Sequence, residues 1–530
     1  MGNEVVDNGQ EQSELPTSWS LVQLPEIAEI NPTLDKRDID DNLLVSFVPM
    51  PAVEAETGHI DVSAQREFSE VKKGYTGFRE GDVLFAKITP CMENGKMAVV
   101  PALQNDIGFG STEFHVLRVY GDISPQYLYY FVSSKQFRMI AERNMTGAVG
   151  QRRVPTSYIN ESKIPLPPAS EQQRIVAKIE ELFSELDKGV ENLRTAQQQL
   201  KVYRQVLLKH AFEGKLTAGW RAQNPDKLES AEALLAHIQQ EREGRDQQLL
   251  QDWQAAQKEW EENGKVGSKP SKPKVQKALP PLTVEELVEL PKLPMGWAWV
   301  KYGDLCSLVR NGISAKPDGD SGTPIFRISA VRPLFFDMTD IRYIDNSTGG
   351  FDSYYLQRGD LVFTRYNGSR HYVGVCAEYR SDGKYLFPDK LVQTRVFSKK
   401  ISTSYLEKTL NSGASRQFIE SKIRTTAGQS GVSGDDIKST PVPVCSPFEQ
   451  CLIIKEIESK LSEVDQLQQT ITHSLQQADA LRQSILKKAF SGQLVPQDPN
   501  DEPASVLLER IRAERAAQPK ARGRKAKASV

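Results

Sequence analysis

Apolar residues recur in alternating steps of four and three along two stretches of the chain. The first runs through Ile175, Ile179, Leu182, Leu186, Gly189, Leu193, Ala196, Leu200, Tyr203 and Leu207, so nine of ten positions are apolar, with one Gly fault. The second runs through Ile453, Ile457, Lys460, Val464, Leu467, Ile471, Ser474, Ala478, Leu481 and Ile485, with polar breaks at 460 and 474. A repeat of about 3.5 residues is the seam of a coiled coil. The pattern predicts a helix over about 173–212 and a second over the matching stretch. Pro167-Pro168 and Pro447 stand just before the stripes, and Gly214 and Gly492 just after, as helix starts and stops prefer. A helix over 173–212 would be about 60 Å long at 1.5 Å per residue. An ordinary amphipathic helix on a core would also show one such stripe. Two stripes of equal length and register are better explained by pairing with each other, antiparallel, with a globular domain at each end of the rod.

The stripes belong to a longer duplication. A shift of 278 residues aligns Leu15-Pro16-x-x-Trp19 with Leu293-Pro294-x-x-Trp297, and Gly81-Asp82-Val83-Leu84-Phe85 with Gly359-Asp360-Leu361-Val362-Phe363. It also aligns Tyr127-Leu128 with Tyr405-Leu406, Glu171-Gln172 with Glu449-Gln450, and Ala211-Phe212-x-Gly214-x-Leu216 with Ala489-Phe490-x-Gly492-x-Leu494. Many coincidences at one offset mark an internal repeat. The part of each copy before its stripe is rich in Gly, Pro and aromatics. It carries short β-like runs at Leu43–Val48, Val83–Ile88, His115–Val119 and Leu361–Arg365. A helical stretch is expected inside each, over Pro125–Arg143 and Ser404–Ile423. The fold class is therefore α+β: a tandem duplication of a mixed globular domain, each copy followed by a long helix. Between the copies, 229–262 is charged and helix-favouring, with a weak stripe at Leu234, Leu235, Ile238 and Leu249. A Pro/Lys/Ser linker to Lys274 follows, expected to be flexible.

Composition narrows the class. The N-terminus is polar and acidic and reads as neither a signal nor a transit peptide. Apolar runs fall far short of the ~18–20 residues of a membrane span. Five cysteines, Cys91, Cys306, Cys376, Cys445 and Cys451, form no CxxC pair, which points to a reducing cytosol. The net charge of −2 conceals an imbalance. Residues 16–165 hold 15 basic and 19 acidic side chains, net −4, while residues 294–444 hold 20 and 15, net +5. The tail over 510–527 has eight basic residues and one acid and is expected to be disordered. Such a chain is no polycation that grips phosphate unaided.

Motifs for catalysis are missing. The sequence has no Gly-x-x-x-x-Gly-Lys-Ser/Thr phosphate loop, no Gly-x-Gly-x-x-Gly after a strand and no Asn/Asp-Pro-Pro-aromatic loop. Its six His are scattered, with no zinc spacing, and no metal or catalytic residue is assigned. The Gly-Asp pairs at 81–82 and 359–360 read as turns before strands, the Asp bonding the turn backbone.

One set of residues carries a resemblance. Thr146-Gly147-x-x-Gly150-Gln151 precedes Ile164-Pro165-Leu166-Pro167-Pro168-x-x-Glu171-Gln172-x-x-Ile175-Val176, and the long helix closes on Ala211-Phe212-x-Gly214-Lys215-Leu216. The second copy has Thr426-Ala427-Gly428-Gln429, Thr440-Pro441-Val442-Pro443, Glu449-Gln450 and Ala489-Phe490-x-Gly492-Gln493-Leu494. Over roughly 15–495 the chain resembles the specificity subunit of type I restriction–modification enzymes. It departs at Val442-Pro443-Val444, where Pro-Pro is usual, and in its long middle linker. The resemblance implies two target-recognition domains and two helical regions forming an antiparallel coiled coil. Each domain would read half of a split DNA site across an unspecified spacer. The implied partners are double-stranded DNA, two methylation subunits that use S-adenosylmethionine, and restriction subunits that use ATP and Mg2+. The chain itself would use no cofactor, meet no membrane and act in the cytoplasm.

The domains implied are a disordered N-terminus over 1–15, recognition domain 1 over 16–167, helical region 1 over 168–216, a helical segment and linker over 217–293, recognition domain 2 over 294–446, helical region 2 over 447–494, and a short helix with a basic tail over 495–530. Base edges are read by bidentate donors such as Arg, Asn and Gln. The DNA-binding candidates are Lys87, Lys96, Gln151, Arg152 and Arg153 in the first domain, and Arg365, Asn367, Arg370, His371, Arg424 and Gln429 in the second. For each of these, a solvated surface charge is the bland alternative. Two other functions stay open at this point: a nuclease with an unrecognised site, and a coiled-coil scaffold with no DNA role.

Overall fold

The computed structural model describes residues 15–148, 150–273, 278–317, 320–347, 349–398, 400–426 and 428–517. The expectations for the first 14 residues, for the linker's last residue, Lys274, and for the basic tail beyond 517 lie outside the described residues. The chain divides into two compact units, Met1–Arg194 with Ile471–Val530, and Thr195–Thr470.

In the first unit the run Val83–Ala86 lies inside a four-stranded antiparallel sheet, ordered Ala28–Ile30, Phe114–Val119, Val83–Ala86, Met97–Val99. Strand alternation splits this run between two cores. Val83 and Phe85 pack with the domain's helices, while Leu84 and Ala86 pack toward a second sheet. That second sheet is ordered Gln65–Glu67, Leu44–Val48, Gly108–Gly110, Thr76–Phe78. The domain is closed by its opening strand, Ser20–Gln23, pairing antiparallel with Lys163–Leu166.

The second unit repeats the frame. Its sheet is ordered Cys306–Asn311, Leu391–Val396, Leu361–Thr364, Cys376–Glu378, and Ala298–Lys301 pairs with Pro441–Val444. The outer sheet differs. Where the first domain has four strands in one sheet, the second has two separate two-stranded sheets, Thr323–Phe326 with Ile341–Ile344 and Val331–Arg332 with Phe335–Phe336.

Both Gly-Asp pairs are turn braces. Gly81 takes φ +77° and Gly359 φ +89°, a backbone region that disfavours any Cβ. Asp82 accepts the Arg79 N–H at 2.8 Å and two bonds from Arg118 at 2.8 and 2.7 Å. Asp360 accepts the Gln357 N–H at 2.7 Å and two bonds from Arg395 at 2.6 and 2.8 Å.

Two expectations need correction. Each inner helical stretch is two helices, Pro125–Ser133 with Lys135–Arg143, and Thr403–Leu410 with Gly413–Lys422. Ser134 breaks the first by capping the next turn, its hydroxyl accepting from the Phe137 N–H. The second correction concerns the seam. The long helices are Ala169–Phe212 and Pro447–Phe490. Ile175, Ile179, Leu207, Ile453, Ile457, Val464, Ile471 and Ile485 are buried, and Leu182, Leu186, Leu193 and Leu200 are half-buried. Leu467 and Leu481 are instead 53 % and 51 % exposed, Tyr203 is exposed, and so is Gly189. Their places on the inner face go to Gln468, Arg482, Arg204 and Val190. An undistorted α-helix has 3.6 residues per turn and drifts off a strict heptad. Here the drift is absorbed by two successive steps of four, as from Leu182 through Leu186 to Val190, which is a stutter.

The helices pair antiparallel. In the first unit Asp187 meets Arg482, whose guanidinium also lies 4.3 Å from the Phe183 ring centroid. In the second unit Asp465 meets Arg204. These are one ion pair seen once from each copy of the repeat. They are half-exposed, so they set register more than stability. Each helix stops in a glycine-ended motif: the Lys215 N–H bonds His210 O and the Gln493 N–H bonds Lys488 O, both at 2.9 Å, with Gly214 and Gly492 at positive φ.

Each domain's core is completed by the other repeat's helix end. In the first unit Ile485, Leu486 and Ala489 join the core with Leu507, Leu508 and Ile511 of the helix Ala504–Ala517. In the second unit Leu208, Ala211 and Phe212 do so with Leu234 and Ile238 of the helix Ala231–Glu262. Leu235 and Leu249, placed on the same stripe by sequence, are exposed. The ring contacts repeat as well, Phe490 on Tyr127 and Phe212 on Tyr405, both 5.3 Å apart. Each fully buried aliphatic side chain contributes about 1.5–3 kcal/mol.

Candidate nucleic-acid interface

The Glu-Gln pairs at the start of the long helices act as clamps. The Glu171 carboxylate accepts from the Trp19 indole at 2.9 Å and from the Gln497 amide. Burial pushes its carboxyl above the usual value, and those two hydrogen bonds oppose the shift. Gln172 accepts the Ser124 N–H at 2.9 Å and donates to Pro167 O at 3.0 Å. In the second copy Glu449 accepts from the Trp297 indole at 2.9 Å, from Thr217 at 2.6 Å and from Arg221 at 2.5 Å, and Gln450 accepts the Ser402 N–H at 2.9 Å. The clamps orient each domain against its own long helix. The loop that holds several of the sequence's recognition candidates lies upstream of each clamp in the chain.

In the first domain this loop is tied by backbone bridges of Arg153 to Ile88 and to Thr146. The Thr89 N–H bonds Arg152 O at 3.0 Å, and the Lys87 N–H bonds Glu113 O at 2.9 Å. Lys87, Gln151, Arg152 and Arg153 are thereby brought together. Gln151 is exposed, Arg152 lies 3.9 Å from Glu142, and Arg153 is held by Glu113. The hydrogen bonds from Arg153 hold the Glu113 carboxyl below its usual value. Beneath them His115 is buried, bonded to Val154 O at 2.9 Å and to Asn31, and burial pushes its imidazole toward the neutral form. Lys96 is not part of this group. Its ammonium donates to Val53 O at 2.6 Å and Met50 O at 3.3 Å, so it staples an inner loop instead of facing outward.

In the second domain the same loop is a three-stranded sheet of Tyr366–Asn367, Gln429–Gly431 and Arg424–Thr426. The pairings Tyr366 with Gly431 and Arg424 with Gly431 match those of Ile88, Arg153 and Thr146 at the 278-residue shift. Gly431 is required here, because a Cβ would lie 2.3 Å from the Tyr366 ring. Arg365, Asn367, Arg424 and Gln429 are brought together on this sheet. Arg365 stacks 4.8 Å from the Tyr366 centroid, and its buried Nε has no hydrogen-bond partner among the described residues. Arg424 and Gln429 are exposed. Asn367 spends its carbonyl on the Ser369 N–H at 2.9 Å. Arg370 caps the end of the helix Gly413–Lys422, donating to Glu420 O at 3.1 Å and Ile423 O at 3.4 Å, while His371 is exposed against Tyr372.

Sequence reasoning did not name Glu113, whose carboxylate holds Arg153, or Lys390, whose backbone carbonyl accepts the Arg365 N–H at 2.8 Å. Both reach the loop only through the pairing of strands nearly thirty residues apart, a relation with no linear signature. Among the described residues no group of three His, Cys, Asp or Glu side chains is placed to hold a metal, and no helix is long and apolar enough to cross a membrane.

Residues 16–194 match the family described as the type I restriction modification DNA specificity domain. The chain is 29% identical over 534 residues to the EcoEI specificity subunit of Escherichia coli, covering 91% of this chain and 84% of that one. It is 30% identical over 415 residues to the EcoKI specificity subunit of Escherichia coli strain K12, covering 76% and 74%. Its fold matches a chain from a structure of the assembly and conformational transition of a type I restriction–modification system, with a TM-score of 0.61 at 20% identity over 91% of this chain and 100% of that one. It also matches the HsdS subunit from Thermoanaerobacter tengcongensis, with a TM-score of 0.51 at 18% identity over 91% and 98%. The chain belongs to the family of type I restriction enzyme specificity subunits.

Proposed function

We propose that this chain selects the DNA target of a type I restriction–modification complex and leaves the chemistry to its partners. The domain over 16–167 reads one half-site and the domain over 294–446 reads the other. The paired long helices set the spacer and dock two methylation subunits, which transfer a methyl group from S-adenosylmethionine to adenine. Restriction subunits that use ATP and Mg2+ complete the complex, in the cytoplasm. The observation that carries this reading is the recurrence of one loop, Ile88, Arg153 and Thr146 in one domain and Tyr366, Gly431 and Arg424 in the other, on two frames clamped alike to paired helices. The reading residues are Lys87, Gln151, Arg152 and Arg153, and Arg365, Asn367, Arg424 and Gln429, with Arg370 and His371 beside them.

Methylome sequencing of a host carrying the methylation subunits, with and without this chain, tests the proposal. Adenine methylation at a two-part motif that depends on the chain is expected. An unchanged methylome would overturn it.

A further inference from the structure

At one place in the two recognition loops the charges differ. In the first domain Glu113 grips Arg153 through Nε at 2.9 Å and Nη2 at 2.7 Å, and Nη1 donates to Gln151 O at 3.0 Å. All three guanidinium nitrogens are engaged. In the second domain the Arg365 N–H bonds Lys390 O at 2.8 Å, as the Lys87 N–H bonds Glu113 O, so Lys390 stands where Glu113 stands. Gly431 stands where Arg153 stands. A self-paired acid and base in one loop thus corresponds to an added cation and a bare backbone in the other.

A carboxylate at a DNA-facing loop repels phosphate, so Glu113 hinders non-specific binding. It suits one base feature, the cytosine N4 amino group, which carboxylates accept from in the major groove. The guanidinium beside it suits the guanine O6 and N7 of the same base pair. Side by side, the two charges mirror the donor and acceptors along the major-groove edge of one C·G pair. The side chains are reachable, with Glu113 24% and Arg153 43% exposed.

We propose that Glu113 and Arg153 are specificity-determining residues that read one C·G pair in the first domain's half-site, exchanging their bond to each other for bonds to the two bases. Away from that pair Glu113 keeps Arg153 occupied and the loop grips DNA weakly. The inference rests on the reading that this chain selects DNA.

The test uses the complex with the methylation subunits and maps the wild-type motif first. Glu113→Gln is expected to lower discrimination at one C·G position of one half-site by about tenfold, leaving the other half-site unchanged. Its binding should depend more steeply on salt, by about one phosphate contact, because Arg153 is freed. The exchanged pair, Glu113→Arg with Arg153→Glu, retains an ion pair and with it the loop. It is expected to lose the C·G preference, whereas a purely structural pair would keep it. Lys390→Glu should weaken the opposite half-site only. A wild-type half-site without a C·G pair, or a preference that survives both the Glu113→Gln change and the exchange, would overturn the inference. A wild type with no two-part motif would instead overturn the DNA-selection reading beneath it.

Discussion

The two recognition domains share a frame and differ at its edge. Trp19 and Trp297 reach equivalent carboxylates, Asp82 and Asp360 brace equivalent turns, and the hydroxyls of Tyr127 and Tyr405 bond Pro165 O and Pro443 O. At the loop edge Glu113 and Arg153 cancel each other, while Arg365, Lys390 and Arg424 lack a matching acid among the described ion pairs. Packing therefore constrains the frame twice over, and the edge is free to diverge. The first domain's edge carries a self-paired acid and base, and the second's carries cations without one.

Ways to break this comparison run from large effects to small. Glu449→Ala leaves Arg221 and the Trp297 indole buried without their acceptor, and breaking a buried ion pair costs about 3–5 kcal/mol. Glu171→Ala leaves only neutral donors, the Trp19 indole and the Gln497 amide, without their acceptor and should cost about 1–3 kcal/mol. Denaturant melts followed in each unit would show the difference, and equal costs would mean the clamps are not asymmetric. Next, Arg365→Ala should weaken DNA binding by about 1–2 kcal/mol, more than Lys87→Ala, which is measurable by titration at two salt concentrations. Equal losses would remove the division of labour between the domains. The smallest effect is a pH dependence. The Glu113 carboxyl is held below its ordinary 4.5 by the Arg153 hydrogen bonds, so the pair adds stability above that pH and loses it as pH falls through the lowered value. For a part-exposed pair this amounts to a few tenths of a kcal/mol. Comparing acid melts of the wild type and Glu113→Gln should show it in the first unit alone.

The duplication, the two long helices and their ends were legible in the sequence, because a repeat at constant offset and a heptad stripe are linear signals. The seam was legible only in part. Ile175 through Leu186 follow the heptad, but the stutter sends Leu467 and Leu481 outward and brings Arg204 and Arg482 in, where they meet Asp465 and Asp187. A polar residue on an inner face becomes readable only when its partner on the other helix is known. The site divided in the same way. The loops that hold Arg153 and Arg365 were readable in the sequence, whereas the placement of Lys96 apart from them was not, because the carbonyls of Met50 and Val53 that hold its ammonium come from a distant turn. The Glu-Gln pairs were visible through the duplication and the resemblance, but their physical role as clamps needed Trp19 and Trp297 in place.

The most direct test of the whole account is a matched deletion of one heptad, 193–199 from the first helix and 471–477 from the second. Seven residues remove about 10 Å of helix, which corresponds to about three base pairs of DNA. The methylome should show both half-sites unchanged and the spacer shortened by about three base pairs. Full activity with an unchanged spacer would contradict the account.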